Sequence, residues 1–171
     1  MFRAKTLLLL ACLLPALPAG IAAAQAPAAG VARPTGLPIP RFVTLRSGEV
    51  NVRTGPGTRY PVEWVFVRKD VPVEITAEFD TWRRIRDWEG AEGWVHQSML
   101  SGRRAIVVTG DVRSLRRSPE PAASAVARLE PGVVGTLQRC RADWCEVEVE
   151  GYEGWLARTE FWGVYPEEQL N

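Results

Sequence analysis

The sequence has 171 residues, of which 46% are hydrophobic and 24% are charged, and its formal net charge is +1. This composition is ordinary for a globular protein and excludes a chain that is disordered throughout. The near balance of charges also excludes the broad positive field with which proteins hold nucleic acid, so we expect no nucleic-acid partner.

The first 24 residues have the pattern of a secretory signal peptide. Arg3 and Lys5 precede an uncharged run rich in leucine and alanine, and alanines at 22–24 provide a small-residue cleavage site. Prolines interrupt the run, which favours a cleaved signal over an uncleaved membrane anchor. Cys12 follows Leu-Leu-Ala as in a lipoprotein signal, but cleavage there would leave a very short apolar run, so we favour the ordinary signal.

Residues 25–40 are rich in alanine, proline and glycine and carry almost no charge, which predicts a flexible linker. Removal of residues 1–24 would leave 19 basic and 20 acidic side chains, a net charge of −1. We therefore expect a periplasmic or secreted protein that has no stable membrane insertion after the signal is cleaved.

From residue 41 onward the sequence repeats itself. The aligned segments are 51–56 (NVRTGP) with 114–119 (SLRRSP), 82–85 (WRRI) with 144–147 (WCEV), and 88–95 (WEGAEGWV) with 149–156 (VEGYEGWL). The offsets between the paired segments are 63, 62 and 61 residues, and single-residue deletions in the loops would explain this stepwise decrease. Two copies of a unit of roughly 60 residues, at 41–103 and 104–171, are the simplest account.

Each unit is predicted to be all-β. In the first unit, apolar and other residues alternate over 71–76, residues 79–81 form a turn, and 82–88 form the returning strand. After residue 41, only residues 122–129 show a helical pattern, and the prolines on both sides of this stretch disfavour a helix. We expect each sheet to close into a small barrel, because closure removes exposed edges.

The two cysteines that follow the signal, Cys140 and Cys145, are predicted to form a structural disulfide. An oxidising compartment favours such pairing, and the spacing of the two cysteines suits a cross-link between the end of one strand and the start of the next. A redox-active pair is the alternative. The neighbouring charges, including Arg139 and Asp143, have mixed signs and do not favour a lowered thiol pKa.

Several motifs of the first unit resemble those of bacterial SH3-like domains. They are residues 51–57 (NVRTGPG), Tyr60 with the following Pro-Val, the Trp-x-x-Ile of 82–85, and the Gly-Trp-Val of 93–95. The resemblance implies two tandem small barrels that bind ligands through loops and an aromatic face. Relatives often accompany cell-wall enzymes, and several bind peptidoglycan peptides or glycans. In the second unit Ser114, Ser118 and Glu120 depart from the motif, so its opening loop is expected to differ in shape.

The ligand site is expected among aromatic side chains, because seven tryptophans exceed what such small barrels can bury completely. Half-exposed rings suit sugars, apolar side chains and proline-rich segments. The candidate ligand-binding residues are Arg53, Tyr60, Trp82, Trp88, Trp94, Trp144 and Trp155. For Trp94 and Trp155, core packing and ligand contact both remain open. Arg53 could pair with a ligand carboxylate, although we favour a role in bracing its own loop.

Groups for catalysis or metal binding are sparse in the mature sequence. One histidine, His96, and one cysteine pair do not supply a catalytic set or a cluster of metal ligands. Glu89 and Glu92, with their counterparts Glu150 and Glu153, lie in turns beside glycines, where solvated carboxylates are expected. We therefore expect no enzymatic activity, no cofactor and no metal site.

The sequence thus predicts a non-catalytic exported module that recognises a cell-envelope ligand, foremost peptidoglycan through its peptide or its glycan. The alternative is a periplasmic protein-interaction module that binds extended peptide segments of an envelope protein. The unequal charge of the two halves motivates this alternative, since residues 41–104 have a net charge of +2 and residues 105–171 a net charge of −4.

Overall fold

The computed structural model describes residues 35–170, so the signal peptide predicted for 1–24 and most of the predicted linker lie outside the described residues. Within this range the protein is all-β and consists of two tandem units. Its two helical segments are single turns of 3-10 helix, and no helix in this range is long and apolar enough to cross a lipid bilayer.

The strands of the two units correspond one to one. In the first unit they are β1 (Arg41–Leu45), β2 (Val50–Arg53), β3 (Val62–Phe66), β4 (Pro72–Phe79), β5 (Trp82–Arg86), β6 (Glu92–His96) and, after a 3-10 turn at Gln97–Met99, β7 (Leu100–Ser101). In the second they are β8 (Ala105–Val108), β9 (Arg113–Arg116), β10 (Ala125–Leu129), β11 (Val134–Arg141), β12 (Trp144–Val149), β13 (Tyr152–Ala157) and, after a 3-10 turn at Arg158–Glu160, β14 (Phe161–Trp162).

Each unit is a seven-stranded antiparallel sheet. The strand orders are β3-β2-β6-β5-β4-β1-β7 and β10-β9-β13-β12-β11-β8-β14. The expected closure by strand pairing does not occur among the described residues: β7 has two residues and pairs only with β1, which leaves β3 as an unpaired edge. The all-β architecture of two tandem units predicted from the sequence is confirmed, but the sheets are open.

Alternation along strands such as β5, β6 and β12 builds one apolar core inside each sheet. In β5 and β6, for example, Ile85, Gly93 and Val95 are buried, while Arg84 and Trp94 point to the other face. The second core contains Leu115, Val147 and Leu156 among other residues, at positions equivalent to those of the first. This period of two follows from the strand geometry.

One detail of the predicted strands is wrong. The returning strand β5 ends at Arg86, because the carboxylate of Asp87 accepts hydrogen bonds from the backbone of Glu89 and Ala91 and starts a turn. The weak helical pattern at 122–129 forms no helix, and Ala125–Leu129 is the strand β10. The apolar face of Val71, Val73 and Ile75 packs in the core as predicted, and on the opposite face of β4 Tyr165 of the second unit covers Glu74.

The two units contact each other through the outer face of β1 and β4. The ring of Phe42 lies 4.7 Å from that of Trp162 and 4.6 Å from that of Tyr165. The Tyr165 hydroxyl donates a hydrogen bond of 2.7 Å to the carboxylate of Glu74. Burial, together with this carboxylate, raises the pKa of Tyr165. The aromatic cluster therefore belongs to the contact between units and not to a free surface.

The β4–β5 hairpin and its counterpart β11–β12 are each closed by an inward-facing cross-strand pair. Glu78 lies opposite Arg83, and at the equivalent position Cys140 lies opposite Cys145. The cysteines form the predicted disulfide, with an S–S distance of 2.06 Å. The first unit thus has a buried ion pair where the second has a covalent bond.

Glu78 is the centre of a buried polar network. Its carboxylate accepts hydrogen bonds from the Thr35 hydroxyl at 2.7 Å and from Arg41 at 2.5 Å, and it lies 3.4 Å from Arg83. Burial pushes the pKa of Glu78 upward, but the hydrogen bonds from Thr35 and Arg41 outweigh it and hold the pKa below its ordinary value. Thr35, which lies within the predicted linker, is attached to the first unit through this carboxylate.

Candidate ligand-binding cleft

The outer face of the first sheet brings several candidate residues into adjacent rows. Trp94 on β6 pairs with Arg53 on β2 and with Arg84 on β5. In the next row, Trp82 on β5 pairs with His96 on β6. These side chains face away from the core because their neighbours along each strand point inward.

A glycine allows β6 to approach β2 closely enough for this arrangement. A Cβ atom added at Gly93 would lie 2.3 Å from Cγ1 of Val52, so a larger residue would displace a core side chain. Gly154 has the same role in the second unit, where a Cβ would lie 2.7 Å from the carbonyl oxygen of Arg116. The repeated Gly-Trp dipeptide therefore positions Trp94 and Trp155 beside the opening strand.

Arg53 braces the loop that follows β2. Its Nη1 donates hydrogen bonds to the carbonyl oxygens of Thr58, at 3.2 Å, and Tyr60, at 2.7 Å. Arg116 binds the Ala123 carbonyl of the second loop in the same way, at 3.0 Å. Tyr60 also has a structural role, because its ring packs on Gly55, where a Cβ would lie only 2.5 Å from the ring.

The braced loop and the outer face enclose a cleft of about 200 Å³. Its lining residues are Glu49, Asn51, Arg53, Thr58, Trp82, His96 and Met99. One wall is aromatic, since the rings of Trp82 and His96 meet edge to face at 5.5 Å. Within residues 35–170, no carboxylate forms an ion pair with Arg53. The cleft therefore combines an aromatic wall with a guanidinium that braces the loop and forms no ion pair in this range, and Glu49 supplies a carboxylate to the same lining.

His96 is held in this wall by local hydrogen bonds. Its Nδ1 lies 2.7 Å from the Ser98 hydroxyl and accepts a longer hydrogen bond from the Ser98 backbone N–H, which caps the 3-10 turn. The imidazole is thereby fixed against Trp82, and its contribution to the cleft is a positioned ring edge.

The equivalent region of the second unit is covered by its own side chains. The guanidinium of Arg139 lies 5.6 Å from the centre of the Trp155 ring and forms an ion pair of 2.7 Å with Glu146. As a result Trp155 is only 6% exposed. Trp144 occupies the position of Trp82, but Ala157 replaces His96 as its cross-strand neighbour, so the edge-to-face ring pair is lost.

The structure separates the sequence-predicted candidates into groups. Arg53 and Trp82 line the cleft, Trp94 lies in the next row, and Trp88 packs against the core of the first unit. Asn51, Met99 and Glu49 also line the cleft and were not identified from the sequence. The alternation of Val50 and Val52 with Asn51 and Arg53 is the signal that could have placed Asn51 on the outer face.

A second recess among residues 35–170 has an arginine but no aromatic wall. This recess of about 550 Å³ lies beside the C-terminal segment, where Arg158 donates hydrogen bonds to the carbonyl oxygens of Ala142, Tyr165 and Glu168. Arg158 thus braces its surroundings as Arg53 does, but no aromatic ring lines this recess. Over the range that the structure describes, no group of three or more His, Cys, Asp or Glu side chains is arranged to hold a metal ion.

Comparisons with known proteins assign the sequence to a family. No curated protein matches the sequence significantly. Similar solved structures include NlpC1 from Trichomonas vaginalis, at 11% identity and a TM-score of 0.34, and NlpC2 from the same organism, at 12% identity and a TM-score of 0.35. The matches cover 74% and 75% of this chain but 46% and 50% of the other proteins, so the chain spans about half their length. The model of the bacterial SH3 domain matches residues 46–102 and 110–163, and the chain therefore belongs to the bacterial SH3 domain family.

Proposed function

We propose that the protein is an exported, non-catalytic binding module that recognises peptidoglycan through the cleft of its first unit. The observation that carries the proposal is that one cleft holds the Trp82–His96 wall together with the guanidinium of Arg53, which forms no ion pair among residues 35–170. Aromatic faces suit sugar rings and apolar side chains, and guanidinium groups pair with carboxylates. Peptidoglycan presents all of these groups.

Export is part of this proposal. The signal-like residues 1–24 and the disulfide between Cys140 and Cys145 support it, because disulfides persist in oxidising compartments outside the cytoplasm. Membership of the bacterial SH3 family, a family of binding domains, supports recognition rather than bond cleavage.

The two units have separate roles in the proposal. The first unit supplies the binding cleft, and the second unit, in which Arg139 covers Trp155, supports it structurally. The second unit also covers the outer face of β4 through Tyr165, which leaves the first unit's cleft on β2, β5 and β6 uncovered by this contact.

A pull-down on purified peptidoglycan sacculi tests the assignment with a matched pair of variants. Trp82→Ala removes the aromatic wall of the cleft and is expected to weaken retention by about 30-fold or more, as for a central aromatic contact. Trp144→Ala makes the same change at the equivalent position of the second unit and is expected to leave retention unchanged.

The controls separate the proposal from its alternatives. Soluble peptidoglycan fragments should compete with the sacculi, and a denatured sample should not be retained. Equal losses in both variants, or no retention of the native protein above the denatured control at low and moderate salt, would contradict the proposal. Photo-crosslinking from position 82 in cells to one dominant envelope protein would favour the protein-interaction alternative instead.

A further inference from the structure

Three side chains at β2 and just before it form a row along one side of the cleft. Glu49, Asn51 and Arg53 alternate with the buried Val50 and Val52, so they share the outer face of the sheet. At about 3.3 Å for each residue, the row from position 49 to position 53 is roughly 13 Å long. One end of the row therefore has a carboxylate, the other end has a guanidinium, and an amide lies between them.

Both charged ends of this row are available to a ligand. Among residues 35–170 Glu49 forms no ion pair, and its side chain is exposed. The two hydrogen bonds by which Arg53 braces its loop both leave from Nη1, so the rest of its guanidinium can still pair with a carboxylate. The row thus suits a ligand that carries an ammonium group at one end and a carboxylate at the other.

The second unit shows that the fold does not require an acid at position 49. At the repeat offset of 63 residues, Val112 occupies the position of Glu49, and its side chain is 54% exposed. Arg53 has a counterpart in Arg116, which braces its own loop in the same way. The arginine is therefore shared by both units as part of the fold, whereas the carboxylate is particular to the row beside the cleft.

Peptidoglycan carries such a pair of charges on its peptide arms and not on its sugar rings. The N-acetylated rings of the glycan are neutral, whereas a free peptide arm has an ammonium group on its diamino acid and a carboxylate at its end. A cross-link is an amide between the amine of one arm and the terminal carboxyl group of another. The first arm thereby loses its ammonium group and the second loses its terminal carboxylate, so the free arm keeps both.

We propose that the cleft of the first unit selects peptide arms of peptidoglycan that are not cross-linked, with Glu49 pairing with the ammonium group and Arg53 with the terminal carboxylate. The proposal depends on the peptidoglycan-binding role given to the cleft above. Asn51, between the two charges, has an amide that both donates hydrogen bonds to a peptide backbone and accepts them from it. The wall of Trp82 and His96 contacts the apolar parts of the same arm.

Isothermal titration calorimetry with purified disaccharide–peptide monomers tests this selectivity. Acetylation of the free amine of the monomer is expected to weaken its binding about fivefold, which is the upper end for an exposed ion pair. Cross-linked dimers, in which no arm keeps both groups, should bind more weakly than the monomer. The disaccharide without its peptide arm should bind more weakly than the acetylated monomer, because it lacks both charges and the apolar side chains.

A matched pair of variants tests the role of Glu49. Glu49→Gln is expected to weaken binding of the monomer about fivefold and to leave binding of the acetylated monomer unchanged, because that ligand has already lost the ion pair. Glu89→Gln removes the same charge in the exposed turn between β5 and β6, at the opposite end of these strands from Trp82 and His96. This control should bind both ligands as the native protein does.

The outcomes separate the selectivity from the peptidoglycan-binding role of the cleft. If Trp82→Ala weakens binding but the native protein binds monomers, acetylated monomers and disaccharides equally, the cleft holds peptidoglycan and the proposed selectivity is wrong. Equal losses for both forms of the monomer in Glu49→Gln would also overturn it. If no fragment binds and sacculi do not retain the protein, the selectivity and the peptidoglycan-binding role are both wrong.

Discussion

Replacement of Glu78 by glutamine is expected to lower the free energy of unfolding by about 3–5 kcal/mol, the usual cost of removing one partner from a buried ion pair. Glu78 is 1% exposed and Arg83 is 2% exposed, so the substitution would leave the Arg83 charge buried without its carboxylate. It would also weaken the attachment of Thr35 and Arg41. Urea unfolding followed by tryptophan fluorescence measures the loss.

Glu92→Gln is the matched control for this variant. Glu92 also pairs with an arginine across the sheet, at 2.6 Å from Arg84, but both side chains are substantially exposed. Exposed ion pairs contribute little, so the control should lose less than about 1 kcal/mol. If both variants lost a similar amount of unfolding free energy, burial would not explain the contribution of the Glu78–Arg83 pair.

The carboxylate of Glu78 makes the stability of the protein depend on pH in the acidic range. Because the pKa of Glu78 is lowered in the folded state, the unfolded state binds more protons in the acidic range, and stability rises with pH there. The contribution of Glu78 is complete above its ordinary pKa of 4.5 and is lost as the pH falls through the lower folded value. The difference in unfolding free energy between the native protein and Glu78→Gln should therefore shrink below about pH 4.5.

Removal of the disulfide by Cys140→Ala/Cys145→Ala is expected to lower the free energy of unfolding by about 2 kcal/mol. The loss is smaller than that for Glu78 because the bond closes a loop with a sequence separation of only five residues. Urea unfolding of the variant and of the native protein, each with and without reductant, measures it. Reductant should destabilise the native protein and leave the variant unaffected. A variant as stable as the oxidised native protein would contradict the structural role of the bond.

The sequence was informative wherever the relevant signal was local. The spacing of Cys140 and Cys145, together with the signal-like start of the chain, predicted their disulfide, and the alternation over 71–76 predicted β4. The repeated motifs were enough to identify the family and its two tandem units. Each of these features depends on residues close together in the chain, or on a direct comparison of the two repeats.

The exposure of the tryptophans could not be predicted because it depends on cross-strand register. A register shift between Leu137 and Arg139 places Arg139 opposite Glu146, beside Trp155, and this neighbour covers the ring. In the first unit Ala77 occupies the equivalent position and has no such side chain. The same dipeptide, Gly-Trp, therefore leads to two different environments.

The buried Glu78–Arg83 pair was missed although a signal for it exists. The repeat offset aligns Glu78 with Cys140 and Arg83 with Cys145, so the sequence places an acid and a base where the second unit has a cross-link. A glutamate and an arginine on strands are usually solvated, and composition alone therefore favoured exposed positions. The structure shows that they close the hairpin from the inside.

A titration of the protein with soluble peptidoglycan fragments, followed by NMR of the indole N–H groups and backbone amides, tests most directly whether the first unit holds the ligand site. We predict that the resonances of Trp82, Arg53 and His96 shift progressively with added fragments, while those of Trp144 and Trp155 do not. Shifts confined to the second unit, or no shifts at fragment concentrations that compete with sacculi, would contradict the assignment of the cleft.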